Sequence, residues 1–220
     1  MIPIDKFVRS QRKTLSLIIE ADGTLTVRAP LRMKEADIQR FIEEKSDWIK
    51  RKQARARKEV VPSHQFTDGE TFWYLGKEVP LRFVRDGRPA LVMDGTFRLA
   101  KSAQPRAASV FEAWYKKQAR TVLTDRVNFF ARKYGFEVSK IRISSARTRW
   151  GSCSRKGTLS FTWKLLMASP DVIDYVVVHE LCHLRELNHS PSFWAQVEAI
   201  LPDYKSKRKW LKVNGAKLRL

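Results

Sequence analysis

The chain has 220 residues, 43% of them hydrophobic, with seven tryptophans and twelve phenylalanines, which excludes wholesale disorder and leaves one large domain or two small ones. Two cysteines, Cys153 and Cys182, are too few for a disulfide scaffold or a thiolate-only metal site and suit a reducing compartment. The formal charge of +20, from 43 Lys and Arg against 23 Asp and Glu, either attracts nucleic acid or acidic substrates or merely coats solvated helix faces.

Met1 to Lys6 contains no apolar run that a signal peptide would need. The longest apolar stretch, Val172 to Val178, is interrupted by Asp174 and is far too short to span a bilayer. The expectation is a cytoplasmic protein with no membrane partner.

Between Thr14 and Glu20 apolar residues partly alternate, Asp22-Gly23 signals a turn, and Thr24 to Arg28 alternates again, so a hairpin is expected. Pro30 closes its second strand. Lys34 to about Lys58 carries a helical period with Ile38, Phe41, Ile42, Trp48 and Ile49 on the apolar side, and Val60-Val61-Pro62-Ser63 ends it. The tail of that helix, Lys50 to Lys58, is densely basic. From about Glu70 to Lys101 come short strands with turns at Leu75-Gly76-Lys77, Asp86-Gly87-Arg88-Pro89 and Asp94-Gly95, expected to extend the first hairpin as an antiparallel platform.

At Ser102 to Pro105 the strand pattern stops, which places a boundary between a β-rich region 1–104, carrying one long helix, and a region 105–220, unless the two form one continuous domain. A helix from about Ala107 to Tyr134 offers Val110, Trp114, Ala119, Val122, Leu123, Phe129 and Phe130 as core residues, and Gly135 ends it. Strands over Lys140 to Ser145 and Thr158 to Leu165 flank a loop, Trp150 to Gly157. Ser169-Pro170 and Ser190-Pro191 each open a helix, a cap residue followed by proline at the first helical position. Pro202 breaks the second, and the basic segment Lys205 to Leu220 is at least partly helical. The fold class is α+β.

Three of the four histidines lie in His179-Glu180-Leu181-Cys182-His183-Leu184-Arg185-Glu186-Leu187-Asn188-His189. A helix turns about 100° per residue, so His179 and His183 share a face and can both reach one ion. Zinc takes imidazole nitrogen and, when catalytic, keeps one position for water, whose proton Glu180 can accept. Six residues of continued helix would carry His189 away from His183. However, Asn188 tolerates a left-handed helix end and Ser190-Pro191 starts the next helix, so His189 falls in a corner and can fold back over the metal. Glu198 on the following helix is the alternative third ligand. Glu186 reads as a solvated helix residue, and His64, in Pro62-Ser63-His64, as structural or solvent-facing.

Arg149-Trp150-Gly151-Ser152-Cys153, Trp163, Asp174 to His183, Asn188-His189-Ser190 and Phe193-Trp194 together resemble the YgjP-like metal-dependent hydrolases, zinc metallopeptidases related to the SprT and WLM groups. The resemblance implies a zincin-like helical and β catalytic core around an HExxH helix. It implies one catalytic Zn2+ held by His179, His183 and His189, with Glu180 as general base. It also implies that the strand near Thr158 to Trp163 lies over the metal as a shelf for an extended peptide, held by main-chain hydrogen bonds. The ligand spacing coincides with the metzincin pattern, but Glu186 stands where that pattern has glycine.

Around the site, Tyr175 lies one turn before His179 and is placed to hydrogen-bond a developing oxyanion or to pack in the core; Arg149 is placed to stabilise negative charge or to form a surface ion pair. Trp150 and Trp163 read as core, Cys153 as a packed thiol near the loop, and Cys182 as pointing to the core. The first function is therefore a zinc-dependent peptidase acting on extended polypeptide. The alternatives are a metal-dependent nucleoside triphosphate phosphohydrolase acting on a small anionic substrate, and a nucleic-acid-associated protein using the basic runs Lys50–Lys58 and Lys205–Lys212, with Trp210 to stack on a base. Against the phosphohydrolase, the chain lacks a GxxxxGK[ST] loop.

Overall fold

The computed structural model describes residues 2–20, 22–58, 64–85 and 87–220, so the helix stop at Val60 to Ser63 and Asp86 of the second turn lie outside the described residues. Packing divides the chain into two units, Met1–Pro62 and Ser63–Leu220, each with its own apolar cluster.

In the first unit β1 (Lys6–Ser10), β2 (Ser16–Ile19) and β3 (Leu25–Pro30) form one sheet with β3 in the middle, antiparallel to β2 and parallel to β1. The expected hairpin is β2–β3. The strand β1 escapes the sequence because it is mostly exposed and shows no clean alternation. Helices α1 (Glu35–Glu44) and α2 (Ser46–Lys58) replace the single expected helix. Lys45 leaves helical geometry at the break (φ −97°, ψ 10°), and Ser46-Asp47 supplies a helix-start signal inside the apolar period. Leu25, Val27 and Ala29 of β3 are buried with Ile38, Ile42 and Ile49 of the helices.

The second unit begins with β4 (Thr71–Tyr74), β5 (Lys77–Val84), β6 (Leu91–Met93) and β7 (Phe97–Ala100), ordered β4-β5-β7-β6. This sheet does not join the first one, as the platform reading required, and it is mixed, because β5 and β7 run parallel. The β4–β5 turn puts both Leu75 (φ 49°) and Gly76 (φ 78°) in the left-handed region. A Cβ on Gly76 would lie 2.8 Å from Ser169 Cα, so glycine lets this hairpin seat against the residue that precedes the helix Pro170–Cys182.

Helix α3 (Ala107–Tyr134) follows a short 3-10 helix (Lys101–Arg106) and ends at Gly135 in the left-handed conformation. Its buried stripe is Phe111, Tyr115, Ala119, Leu123 and Val127, one residue per turn, then Phe130. Val110, Trp114 and Val122 pack at its border, whereas Phe129, an expected core residue, is 47% exposed with the Arg126 guanidinium 4.7 Å over its ring. One cluster contains Phe72, Leu81, Phe97 and Leu99 from the sheet, the α3 stripe, and Phe161, Val177 and Phe193 from further on. The expected boundary at 104 therefore falls inside a shared core, and the division lies at Pro62/Ser63.

The second sheet of this unit has β10 (Thr158–Thr162) between parallel β8 (Lys140–Ser144) and antiparallel β9 (Gly151–Cys153). β9 occupies part of the expected loop, and a 3-10 helix, Trp163–Met167, replaces the end of the expected strand. Helices α4 (Pro170–Cys182), α5 (Pro191–Ile200) and α6 (Tyr204–Asn214) complete the unit. No helix among the described residues is long and apolar enough to cross a membrane.

Candidate metal centre

Two histidines of the centre come from the end of α4. His179 is in the last helical turn and His183 is the first residue past it, still near helical geometry (φ −66°, ψ −14°), so the four-residue spacing keeps them on one face. The helix stops earlier than the sequence suggests: Arg185 and Glu186 both donate their N–H to Cys182 O (3.1 and 3.0 Å), and Asn188 is not among the residues with positive φ. Arg185 pins this turn to the end of α3, donating to Tyr134 O (2.8 Å) and Gly135 O (3.0 Å) while its guanidinium lies 4.2 Å over Phe136. The chain then enters α5, where Ser190 Oγ accepts from Phe193 N–H at 3.2 Å, the expected cap. His189 stands in that corner.

The corner brings the third imidazole back. Nε2 of His189 lies 3.0 Å from Nε2 of His179, and one nitrogen from each of His179, His183 and His189 lies within 4.8 Å of the others. Three imidazole nitrogens each about 2.0–2.1 Å from a tetrahedral ion would stand about 3.3 Å apart. Among the described residues this is the group that fits a metal, and it includes His189 rather than Glu198, which instead accepts from Lys205 Nζ at 3.0 Å.

The electrostatics also suit a ligand set. Burial first, then the other two imidazoles and Arg208, pushes the His179 pKa down to about 3, and burial with the His183 and Arg208 charges lowers His189. Neutral imidazole is the form that binds metal. His183 Nδ1 is 3.0 Å from Glu186 O, a bond that turns its Nε2 toward the other two histidines. Glu186 thus acts through its backbone, which no side-chain reasoning could find. His179 Nδ1 is buried without a hydrogen-bond partner among the described residues.

Phe193 and Trp194 of α5 hold the rings. Phe193 is fully buried and stacks on His183 (4.5 Å, 28°), while Trp194 stacks on His189 (5.6 Å, 21°). The role of this aromatic pair is visible in the sequence only through its place one turn after the Ser190 cap.

Glu180 follows His179 on α4 and is 5% exposed. Burial pushes its pKa up to about 8, against the pull of the Arg149 charge. Gly151 of β9 lies directly on it: a Cβ there would be 2.5 Å from Glu180 Oε1. A cavity of about 330 Å3 opens beside His179 and Glu180, walled by Trp150, Tyr175, Arg208 and Lys212 among others. Tyr175 is buried, meets His179 edge-on at 5.9 Å, and has its hydroxyl pKa pushed to about 12, first by burial. Trp150 is a cavity wall, whereas Trp163 is core, with Nε1–H to Ser145 Oγ at 3.3 Å.

The cysteines stay outside the donor group. Cys182 is fully buried with its pKa raised to about 11, mainly by burial, and Cys153 on β9 is raised by burial and by the charge of Glu180. His64 stacks on Phe72 (4.3 Å) and meets Glu70 Oε1 at 2.7 Å, a structural role.

The peptide shelf implied for Thr158 to Trp163 requires correction. β10 is the central strand, and its main-chain groups are engaged on both sides. The edges are β8 and β9, and β9 is the one that lies on Glu180. Thr162 N–H donates to Trp150 O (2.9 Å) and Ser154 N–H to Thr158 O (3.0 Å), so by the antiparallel alternation Gly151 and Cys153 turn their main-chain groups away from β10.

Residues 13–214 match the family model described as the YgjP-like, metallopeptidase domain, and the chain belongs to that family. By class it is a metallopeptidase, a metal-dependent hydrolase. Among curated proteins nothing matches. Among solved structures, the chain is similar to the crystal structure of the metallopeptidase zymogen of Pyrococcus abyssi abylysin, with 26% identity over 41% of this chain and 93% of that one. The TM-score is 0.37, and so loose an overlay adds nothing to the assignment.

Proposed function

We propose that the protein is a zinc-dependent endopeptidase in which His179, His183 and His189 hold one ion and Glu180 is the general base, acting on extended polypeptide. The observation that carries this reading is the convergence of three imidazole nitrogens beside a buried glutamate. A bound zinc would supply Lewis acidity and bring the pKa of an attacking water to about 7.

The chain's own residues do the rest. Glu180, fixed under Gly151, acts in its ionised form, which the Arg149 charge favours against burial and a bound dication would favour further; it takes a proton from the attacking water and returns it to the leaving amine. Tyr175, whose hydroxyl stays protonated, lines the same cavity and donates a hydrogen bond to developing negative charge. Arg149 adds a positive field at Glu180. The free edge of β9 offers Gly151 and Cys153 main-chain groups to an extended chain, a mode of recognition that needs no particular side chains. The phosphohydrolase alternative has less support, since the donor group is all imidazole and contains no carboxylate pair suited to magnesium.

The test is Glu180→Gln. Zinc stoichiometry should match wild type, while cleavage of an unfolded protein falls by about 10²–10⁴-fold. Equal cleavage by mutant and wild type would remove Glu180 from the mechanism.

A further inference from the structure

Of the five cations of α6, Lys209 is exposed, away from the cavity and without an ion pair among the described residues, and the other four divide into two sets. Lys205 pairs with Glu198 (3.0 Å), and Lys207 with Asp171 (2.6 Å) and Asp203 (3.0 Å). Arg208 and Lys212, one turn apart, have no carboxylate partner among the described residues, yet both line the cavity beside His179 and Glu180. Two like charges one turn apart on a helix repel, so leaving both unpaired is unfavourable until an anion arrives.

Arg208 is also held in place. Its guanidinium lies 4.6 Å over the Trp194 ring, and Trp194 stacks on Tyr204 (5.2 Å, 15°) as well as on His189. A guanidinium packed over a ring can still take a carboxylate through two parallel hydrogen bonds in its plane. Trp194 thus joins the guanidinium to a histidine of the metal group, and the charge of Arg208 is felt at His179 and His189. A solvated basic helix needs neither the stack nor the cavity.

We infer that Arg208 and Lys212 form a specificity subsite for a peptide carboxylate, so that the protein prefers substrates that present a carboxylate there. The inference rests on the peptidase reading and names what that site prefers. The carboxylate comes either from an Asp or Glu side chain near the scissile bond or from the substrate's C-terminus. A phosphate backbone would engage the same cations; a peptide is favoured because both line the cavity beside the proposed base.

Three unstructured peptides of one length separate these cases: glutamate-containing with an amidated end, the same with glutamine, and the glutamine peptide with a free C-terminus. Binding is measured to the full-length Glu180→Gln protein loaded with zinc, and cleavage with wild type. One of the two carboxylate peptides should bind about tenfold more tightly than the neutral one. Which of them does so identifies the carboxylate. Arg208→Glu should abolish that ratio, and Arg208→Lys should keep its sign at reduced size. Arg208 is exposed, so these variants should retain wild-type zinc content and circular dichroism. Cleavage of all three peptides at equal rates, with equal binding, overturns the subsite and leaves the peptidase reading standing. A wild type that cleaves none takes both away. Binding of oligothymidylate that depends on Arg208 and exceeds that of the acidic peptides overturns the inference in favour of nucleic acid.

Discussion

Gly151 makes room for the Glu180 carboxyl by having no side chain, since any Cβ at that position would stand 2.5 Å from Oε1. Gly151→Ala should therefore push the carboxyl aside while leaving the three histidines alone. Peptide cleavage is expected to fall about 10²-fold with zinc content unchanged, because a misplaced base loses its contribution before the metal is lost. Activity within twofold of wild type would mean that Glu180 has another position to occupy. At this scale the sequence is uneven in what it tells. The four-residue interval of His179 and His183 is readable because helix geometry alone puts them on one face. The contact between residues 151 and 180 is not readable, because it depends on how a three-residue strand packs on a helix.

Side chains also fix how elements meet. Arg126 of α3 clamps Asp174 of α4 through two bonds, 2.6 and 2.7 Å, five residues before His179. At the opening of the second unit, Glu70 gathers the segment ahead of β4: its carboxylate accepts from Thr67 N–H (3.0 Å) and Gln65 N–H (3.2 Å) and meets His64 Nδ1. Burial pushes the Glu70 pKa up, but these bonds outweigh it and hold the carboxyl below its ordinary 4.5. A depressed carboxylate pKa contributes stability that is present above the unfolded value and is lost as pH falls through the folded one. Glu70→Gln should accordingly cost about 1–2 kcal/mol in denaturant unfolding at pH 7, and the gap to wild type should narrow as pH falls below the ordinary carboxyl value of 4.5. A gap that does not change with pH would assign the effect to packing. Element boundaries were legible where a cap residue precedes proline, at α4 and α5. They were missed where a strand is exposed, as in β1, or where a break hides inside a continuous apolar period, as at Lys45. In α6 the basic run was plain, but only the packed helix shows Arg208, exposed on the side of buried Tyr204 and Leu211, lining the cavity.

Among the described residues two apolar clusters share no residue, one in Met1–Pro62 and one in Ser63–Leu220. Calorimetry should resolve two unfolding transitions, and zinc should raise only that of the second unit, by about 2.7 kcal/mol at a hundredfold excess over Kd. One transition that moves as a whole would show that the units unfold together. The boundary was misplaced from sequence because strands β4 to β7 resemble β2 and β3 in composition, yet their buried residues belong to the core under α3. Their pattern reveals that they are strands and not which core they enter.

The donor group holds three nitrogens and no sulfur, although two cysteines lie on the flanking elements β9 and α4. By the hard–soft ordering, a site of that kind shows no special affinity for thiophilic ions such as cadmium. By the Irving–Williams order the proposed site would bind copper(II) more strongly than zinc at equilibrium. Which ion the protein carries is then decided by what the cell supplies, so a sample's metal content records the history of its growth medium as much as the chemistry of the three imidazoles.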